Sequence, residues 1–450
     1  MTKQEAAIKY ITENYLDFNR LRHDLISDKL QLRMENSLED AALSGYSLEF
    51  KGGEYWREMT KHDINSIVCH CAQEYDANIT SREVMTALQS DLIPDVHPLR
   101  EYILSLAPYT PDQPDWIDFV ASQVRVADNA SDSEKGSNGS KSSKGESAVE
   151  IARTSRTPST KADALWRGCF KKWFVAMVAS WMKDEVVNHQ VLVLIGKQGI
   201  FKTTWLEHLI PPHLRAYACK LANSNELNKD ERLRIAEFGL ISLDEIDSMN
   251  NRELNQLKSV ITATDVNERA AYAYTKERRV RLASFCASGN RRDFLTDITG
   301  NRRWLPFEVE SIQNPFYTLL PYERMYAQAW ALAQNPLFSY WFDLDEIEVL
   351  EEHNQHFRDE SNEEQLLDVY FAVPADGANN TKFLTTAEIS ERLIYYGNIK
   401  RPLSLSRLGV LLSQKGFLSV RKGNPQRRGW IVYERDNEEI NAERRILSKT

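Results

Sequence analysis

Eight consecutive residues, Gly196-Lys-Gln-Gly199-Ile-Phe-Lys202-Thr203, have the composition and spacing that grip a polyphosphate. Glycines let backbone N–H groups curl around an anion, and a helix starting directly after them adds the positive end of its dipole. In such a loop Lys202 reaches the β- and γ-phosphates, and the Thr203 hydroxyl is a Mg²⁺ ligand. Thr204, in the helical stretch that follows, completes the candidate nucleotide-binding set of Gly196, Gly199, Lys202, Thr203 and Thr204. Phe201 stands where such loops usually have glycine. A side chain resists backbone geometry that glycine permits, so the sequence predicts a reshaped loop.

Further along, Leu240-Ile-Ser-Leu ends in Asp244-Glu245. A carboxylate at the C-terminal end of a strand beside a phosphate loop suits the Mg²⁺ shell, which points to Asp244. Glu245 is placed to orient and deprotonate an attacking water. Asp247 reads either as a supporting ligand or as a helix cap. A third apolar run closes on Ser288-Gly-Asn290, and Asn290 is a candidate for the γ-phosphate or the lytic water, with a plain turn-forming role as the alternative. Gly300-Asn-Arg302-Arg303 sets two arginines on a turn. They read as an arginine finger or as a surface basic pair.

Between the second and third apolar runs, Arg269, Tyr272, Tyr274, Lys276, Arg278, Arg279 and Arg281 face a single acid, Glu277. Basic residues interleaved with aromatics track a nucleic-acid backbone and stack bases. The bland reading is an exposed hairpin of mixed charge. His62, Cys69, His70 and Cys71 fall close together, but C-x-C without a second pair is poor zinc spacing, and a buried helix is the better expectation.

These groups need a scaffold. Residues 162–187 read as a long helix, apolar nearly all round. Val191–Ile195, Leu240–Leu243 and Val280–Ala287 read as strands separated by helical patterns, an α/β core with a parallel sheet. Residues 128–160 are rich in Ser, Gly and Lys and read as a flexible linker. Near the C-terminus Thr385 and Glu388 form a capping box for a helix from Thr386. A second helix, 405–415, stops at Gly416. Two strands, 417–422 and 430–434, then close a basic hairpin, the layout of a winged helix. Its candidate DNA contacts are Arg407, Arg421, Lys422, Arg427 and Arg428. The expected organisation is an acidic, mostly helical N-terminal domain (1–127), the linker (128–160), a P-loop core (161–342), an acidic connector (343–378), a winged-helix-like domain (379–436) and a tail (437–450).

The net charge of −9 over 450 residues argues at first against a nucleic-acid partner. It is unevenly spread, however: residues 1–127 carry −9, 343–368 carry −10 and 382–435 carry +8. Five cysteines and no signal-peptide layout point to a reducing cytoplasm, and no apolar run approaches the ~20 residues of a membrane span.

Taken together and in order, GKQGIFKT, LISLDE, KSVITAT with Arg269 and Tyr272, CASGN and TGNRRW resemble the virulence-associated E family of superfamily 3 helicase-type ATPases. The resemblance spans about 191–309 and reaches weakly back to residue 97. It implies an AAA+-like homo-hexameric ring with ATP and Mg²⁺ between subunits. Arg302 or Arg303 would then act in trans, and the Arg269–Lys276 hairpin, with Arg278, would grip single-stranded DNA in the pore. It also implies service in replication of phages or other mobile elements, with any primase on a separate chain. The rivals are a non-motor NTPase switch that needs no pore hairpin and a winged-helix regulator of duplex DNA with a degenerate nucleotide site. A P-loop kinase fits less well, because kinases rarely pair Asp-Glu with a distant sensor Asn.

Overall fold

The computed structural model describes residues 2–34, 55–75, 78–128, 160–221, 229–268, 277–295, 301–318, 320–358, 362–374, 381–397, 404–423 and 426–447. Two compact units are present, one of residues 1–292 and 302–354, the other of 293–301 and 355–450.

The first unit begins with helix α1 (Lys3–Ile11), strands β1 (Leu21–Asp24), β2 (Lys29–Met34) and β3 (Tyr55–Glu58), helices α2 (Lys61–Tyr75) and α3 (Ser81–Leu88), and strand β4 (Asp95–Val96). The four strands form a sheet in the order β3-β2-β1-β4. The segment expected to be mostly helical thus carries a sheet as well. Its strands escape a reading by alternation because their buried positions include charges. Arg22 lies over the Trp56 ring, donates to Gln31 and pairs with Glu101. Asp24 is fully buried and accepts from Ser27, Gln31 and Tyr217. Buried charges are tolerated only with such partners. On α2, Cys71 is buried and Cys69 exposed.

Helices α4 (Pro98–Ser105) and α5 (Trp116–Ala121) lead to β5 (Val124–Val126). Next comes α6 (Lys161–Met182), the centre of the main core. Its tryptophans are fully buried, and each gives its indole N–H to a backbone carbonyl: Trp166 to Ala121, Trp173 to Phe285 and Trp181 to Gly239. The helix stops at Met182, five residues before the expected end, where Lys183 turns extended and bonds the Ala333 carbonyl.

The large sheet is built from β6 (Val191–Ile195), β7 (Ala218–Leu221), β8 (Leu240–Leu243), β11 (Ser284–Gly289) and β12 (Trp304–Ile312), all parallel, with β5 antiparallel on the β12 edge. The order is β5-β12-β6-β11-β8-β7. Between the strands lie α7 (Lys202–Glu207), α8 (Lys229–Glu237) and α9 (Asn251–Thr262), and a separate ribbon of β9 (Asp265–Glu268) and β10 (Glu277–Val280). The continuous strand expected over 280–287 is two elements. The break is Arg281, 1% exposed, whose guanidinium donates to the Val260, Ile261 and Ala263 carbonyls at the end of α9 and to those of Asn188 and Ala283. A cation there complements the helix terminus and satisfies its last carbonyls. Helices α10 (Tyr322–Gln334) and α11 (Leu344–Gln355) follow.

The second unit has α12 (Asn362–Tyr370), β13 (Phe371–Ala372), β14 (Thr381–Leu384), α13 (Thr386–Gly397), α14 (Leu405–Gln414), β15 (Leu418–Lys422), β16 (Arg427–Glu434) and α15 (Asn437–Leu447). β16 is central, pairing with β13, β14 and β15. The Thr385–Glu388 box is formed, Ser404 caps α14, and Gly416 turns the chain at φ +82°. Leu367, Leu393, Leu411 and Val432 share the core, so α12 belongs to this unit rather than to a connector. Among the described residues, no helix is long and apolar enough to cross a membrane.

Candidate functional site

Three neighbouring parallel strands, β6, β11 and β8, end at the same edge of the large sheet. That edge is where ligands of open α/β sheets bind. β6 runs into the glycine loop. Gly196 sits so close to β12 that a Cβ would lie 2.6 Å from the Val309 oxygen, and Gly199 has φ +85°. Phe201 takes φ +67°, the left-handed region that glycine fills without strain. The loop therefore keeps a glycine-like turn, and its cost is carried by a phenylalanine.

Lys202 opens α7 and is only 7% exposed. Its ammonium donates to the Gly196 and Lys197 carbonyls, 2.7 Å each, and lies 3.4 Å from Asn290 Oδ1. Burial pulls its pKa below the ordinary lysine value, against the opposing pull of Asp247 and Asp244. Thr203 Oγ1 is 3.2 Å from Asp244 Oδ1 and 2.9 Å from Ser288 Oγ, and Ser288 donates to the same Asp244 oxygen at 2.8 Å. The other oxygen of Asp244 pairs with Lys220 at 2.8 Å. Burial raises the Asp244 pKa, but the hydrogen bonds from Lys220, Ser288 and Thr203 outweigh it and hold the carboxylate below its usual range. Hydroxyl and carboxylate oxygens from two strand ends form a donor set suited to a hard divalent cation. Glu245 is exposed at φ +52° on the turn beyond Asp244, a strained conformation of the kind found at functional sites.

The structure thus brings together Gly196, Gly199, Lys202, Thr203, Thr204, Asp244, Glu245 and Asn290. Two contributors were not singled out from sequence. Ser288 and Lys220 are adjacent to Asp244 only through strand pairing. Asp247, read as a supporting ligand or a helix cap, caps no described helix. Its carboxylate accepts the backbone N–H groups of Asn290 and Arg291, 3.1 and 3.2 Å, and fastens the Asn290 turn to the end of β8. A Cβ on Gly289 would stand 2.9 Å from that carboxylate, which is why glycine precedes Asn290.

Arg302 and Arg303 are elsewhere. They precede β12, whose Trp304 pairs with Val191 at the start of β6, whereas the loop follows Ile195 at its end. That separates them from the loop of the same chain by roughly 13 Å of strand. Of the basic run, Arg269, Tyr272 and Lys276 lie outside the described residues, as does the side chain of Arg278. Two members expected to face solvent are occupied within the fold: Arg279 pairs with Asp28 and Glu237, and Arg281 is the buried cap of α9.

In the second unit Arg407 is on α14, Arg421 and Lys422 on β15, and Arg427 and Arg428 on β16. Register places Arg421 opposite Arg428 and Lys422 opposite Arg427. Like charges facing each other across a ladder destabilise it. All four are exposed.

Among solved structures, the apo C-terminal region of NrS-1 is similar at 10% identity and a TM-score of 0.45, covering 96% of this chain and 100% of that one. Another form of the same region gives 9% identity and a TM-score of 0.42, with 96% and 99% covered. No curated protein matches the sequence. Residues 144–364, which contain the whole loop-and-strand-end cluster, match the family model of the virulence-associated protein E-like domain.

Proposed function

We propose that this chain is an ATP-driven DNA translocase or helicase that serves replication of a phage or other mobile element. The observation that carries the reading is the convergence of Lys202, Thr203, Asp244 and Asn290 at the ends of three adjacent parallel strands. Lys202 would neutralise the β- and γ-phosphates, and the loop amides would hold them. Thr203 and Asp244 would hold Mg²⁺, which supplies charge neutralisation on the transferred phosphoryl group. Glu245 would take the proton of the attacking water, and Asn290, its turn fixed by Asp247, would position that water against the γ-phosphate.

The distance of Arg302 and Arg303 from their own loop supports an arginine finger given to a neighbouring subunit, and with it the ring. The order α12-β13-β14-α13-α14-β15-β16 supports a winged helix, with the short β13 added to its sheet, whose basic hairpin contacts phosphate. The facing cations on that wing suit sequence-independent backbone contact better than a sequence-reading regulator.

The test is ATP hydrolysis by the full chain with and without single-stranded DNA. Stimulation by DNA, abolished by Lys202→Ala, supports the motor. Hydrolysis indifferent to DNA, and to Lys276→Ala with Arg278→Ala, would leave a non-motor NTPase switch.

A further inference from the structure

The turn after β12 displays two large rings: Phe316 is 62% and Tyr317 87% exposed. The turn is a fixed one, because Asn314 accepts from the backbone N–H of Phe316 through its side chain and from those of Tyr317 and Thr318 through its carbonyl. It lies at the loop end of the sheet, since β12 runs parallel to β6 up to Glu308 opposite Ile195. Phe316 meets Phe201 of the glycine loop edge-on, ring centres 6.5 Å apart at 80°. It meets His208, just beyond α7, in the same way at 5.5 Å and 85°. An aromatic surface therefore continues outward from the loop along α7, and its two outermost rings are left in water.

The geometry points to this surface as the nucleobase subsite: Phe316 and Tyr317 stack the base of the nucleotide whose phosphates the loop holds. The assignment rests on the nucleotide reading above and adds to it what the ligand must contain beyond phosphate. Continuity with the loop argues for this occupant, because Phe201 belongs to both. Stacking depends on a π-face that every base has, so the platform selects for an aromatic ring without choosing which base. It also gives a reason for Phe201: the ring that strains the loop is part of the wall that supports Phe316.

The experiment measures binding of Mg-ATP, Mg-GTP and Mg-tripolyphosphate to the full chain and to its Phe316→Ala/Tyr317→Ala variant by titration calorimetry. The double variant should bind both nucleotides about tenfold or more weakly and tripolyphosphate as the parent does. A Phe316→Trp variant should retain ATP affinity and have its fluorescence quenched by ATP but not by tripolyphosphate. ATP affinity unchanged in the double variant overturns the subsite and leaves the nucleotide reading standing. An equal loss of tripolyphosphate also overturns it, since the rings would then be supporting the loop. A parent chain that binds neither nucleotide nor tripolyphosphate overturns both.

Discussion

The strand-end cluster of the first unit and the hairpin of the second handle charge in opposite ways. In the cluster Lys202 is held by two loop carbonyls, Lys220 by Asp244, and Arg291 by Asp247. On the hairpin Arg421 faces Arg428 and Lys422 faces Arg427. Opposed pairs fix geometry, which a site for chemistry requires. Facing like charges store repulsion, which an anion arriving from outside relieves. On the proposed reading, paired cations make a preorganised site in one place and facing cations a receptive surface in the other.

The largest effect should come from breaking the paired site. Lys202→Ala or Asp244→Asn should lower ATP turnover by about 100-fold or more, measured as phosphate release with the fold checked by circular dichroism. The arginines sharpen the point. Arg302→Ala/Arg303→Ala should be inactive too, yet mixing it with the inactive Lys202→Ala chain should restore part of the activity. One chain then lends an intact loop and the other an intact finger, and no recovery on mixing would place the arginines outside the site.

The hairpin should respond differently. Replacing Arg421, Lys422, Arg427 and Arg428 by Ala should leave ATP turnover without DNA unchanged. It should reduce the slope of log affinity against log salt for duplex DNA by about 3–4. Thermal stability should hold or rise slightly, as the facing charges are gone. A marked fall in melting temperature would mean that the charges are satisfied within the fold and are not kept for a partner.

A third contrast is in pH. Burial is the main cause holding His97 of the first unit at about 4, with Arg100 adding to it and Asp24 and Asp184 opposing. The folded chain keeps this ring neutral down to about pH 4, whereas an unfolded chain takes up the proton near 6.5. The stability associated with it is therefore complete above pH 6.5 and decays as the pH falls toward 4, by no more than about 3 kcal/mol. His97→Asn should flatten that part of a denaturant-midpoint against pH plot.

Much of this was legible in the chain, and the exceptions have a common cause. β6 and β8 have the ends expected of them, because continuous apolar runs bounded by glycine or acid admit few other structures. The α13 cap and the hairpin were equally local. What was hidden depends on partners distant in sequence. Arg281 reads as one more cation in a basic run, and only packing shows it capping α9. Ser288 and Lys220 join the site through strand order. The N-terminal strands carry buried charges whose partners lie up to about 190 residues away, as for Asp24 and Tyr217.

The smallest effect tests whether strain contributes to the paired site. Phe201 holds φ +67° at the start of α7, which costs a residue with a side chain roughly 1–2 kcal/mol. Phe201→Gly removes that cost and also removes the ring that braces Phe316. The two consequences separate by ligand. Tripolyphosphate, which needs only the loop, should bind the glycine variant as well as the parent or a few-fold better. ATP, which also needs the bracing ring, should gain less than tripolyphosphate does or lose affinity. Equal gains for both ligands would show that the phenylalanine serves neither the loop nor the platform beside it. Equal losses would show that its ring holds the loop itself in shape.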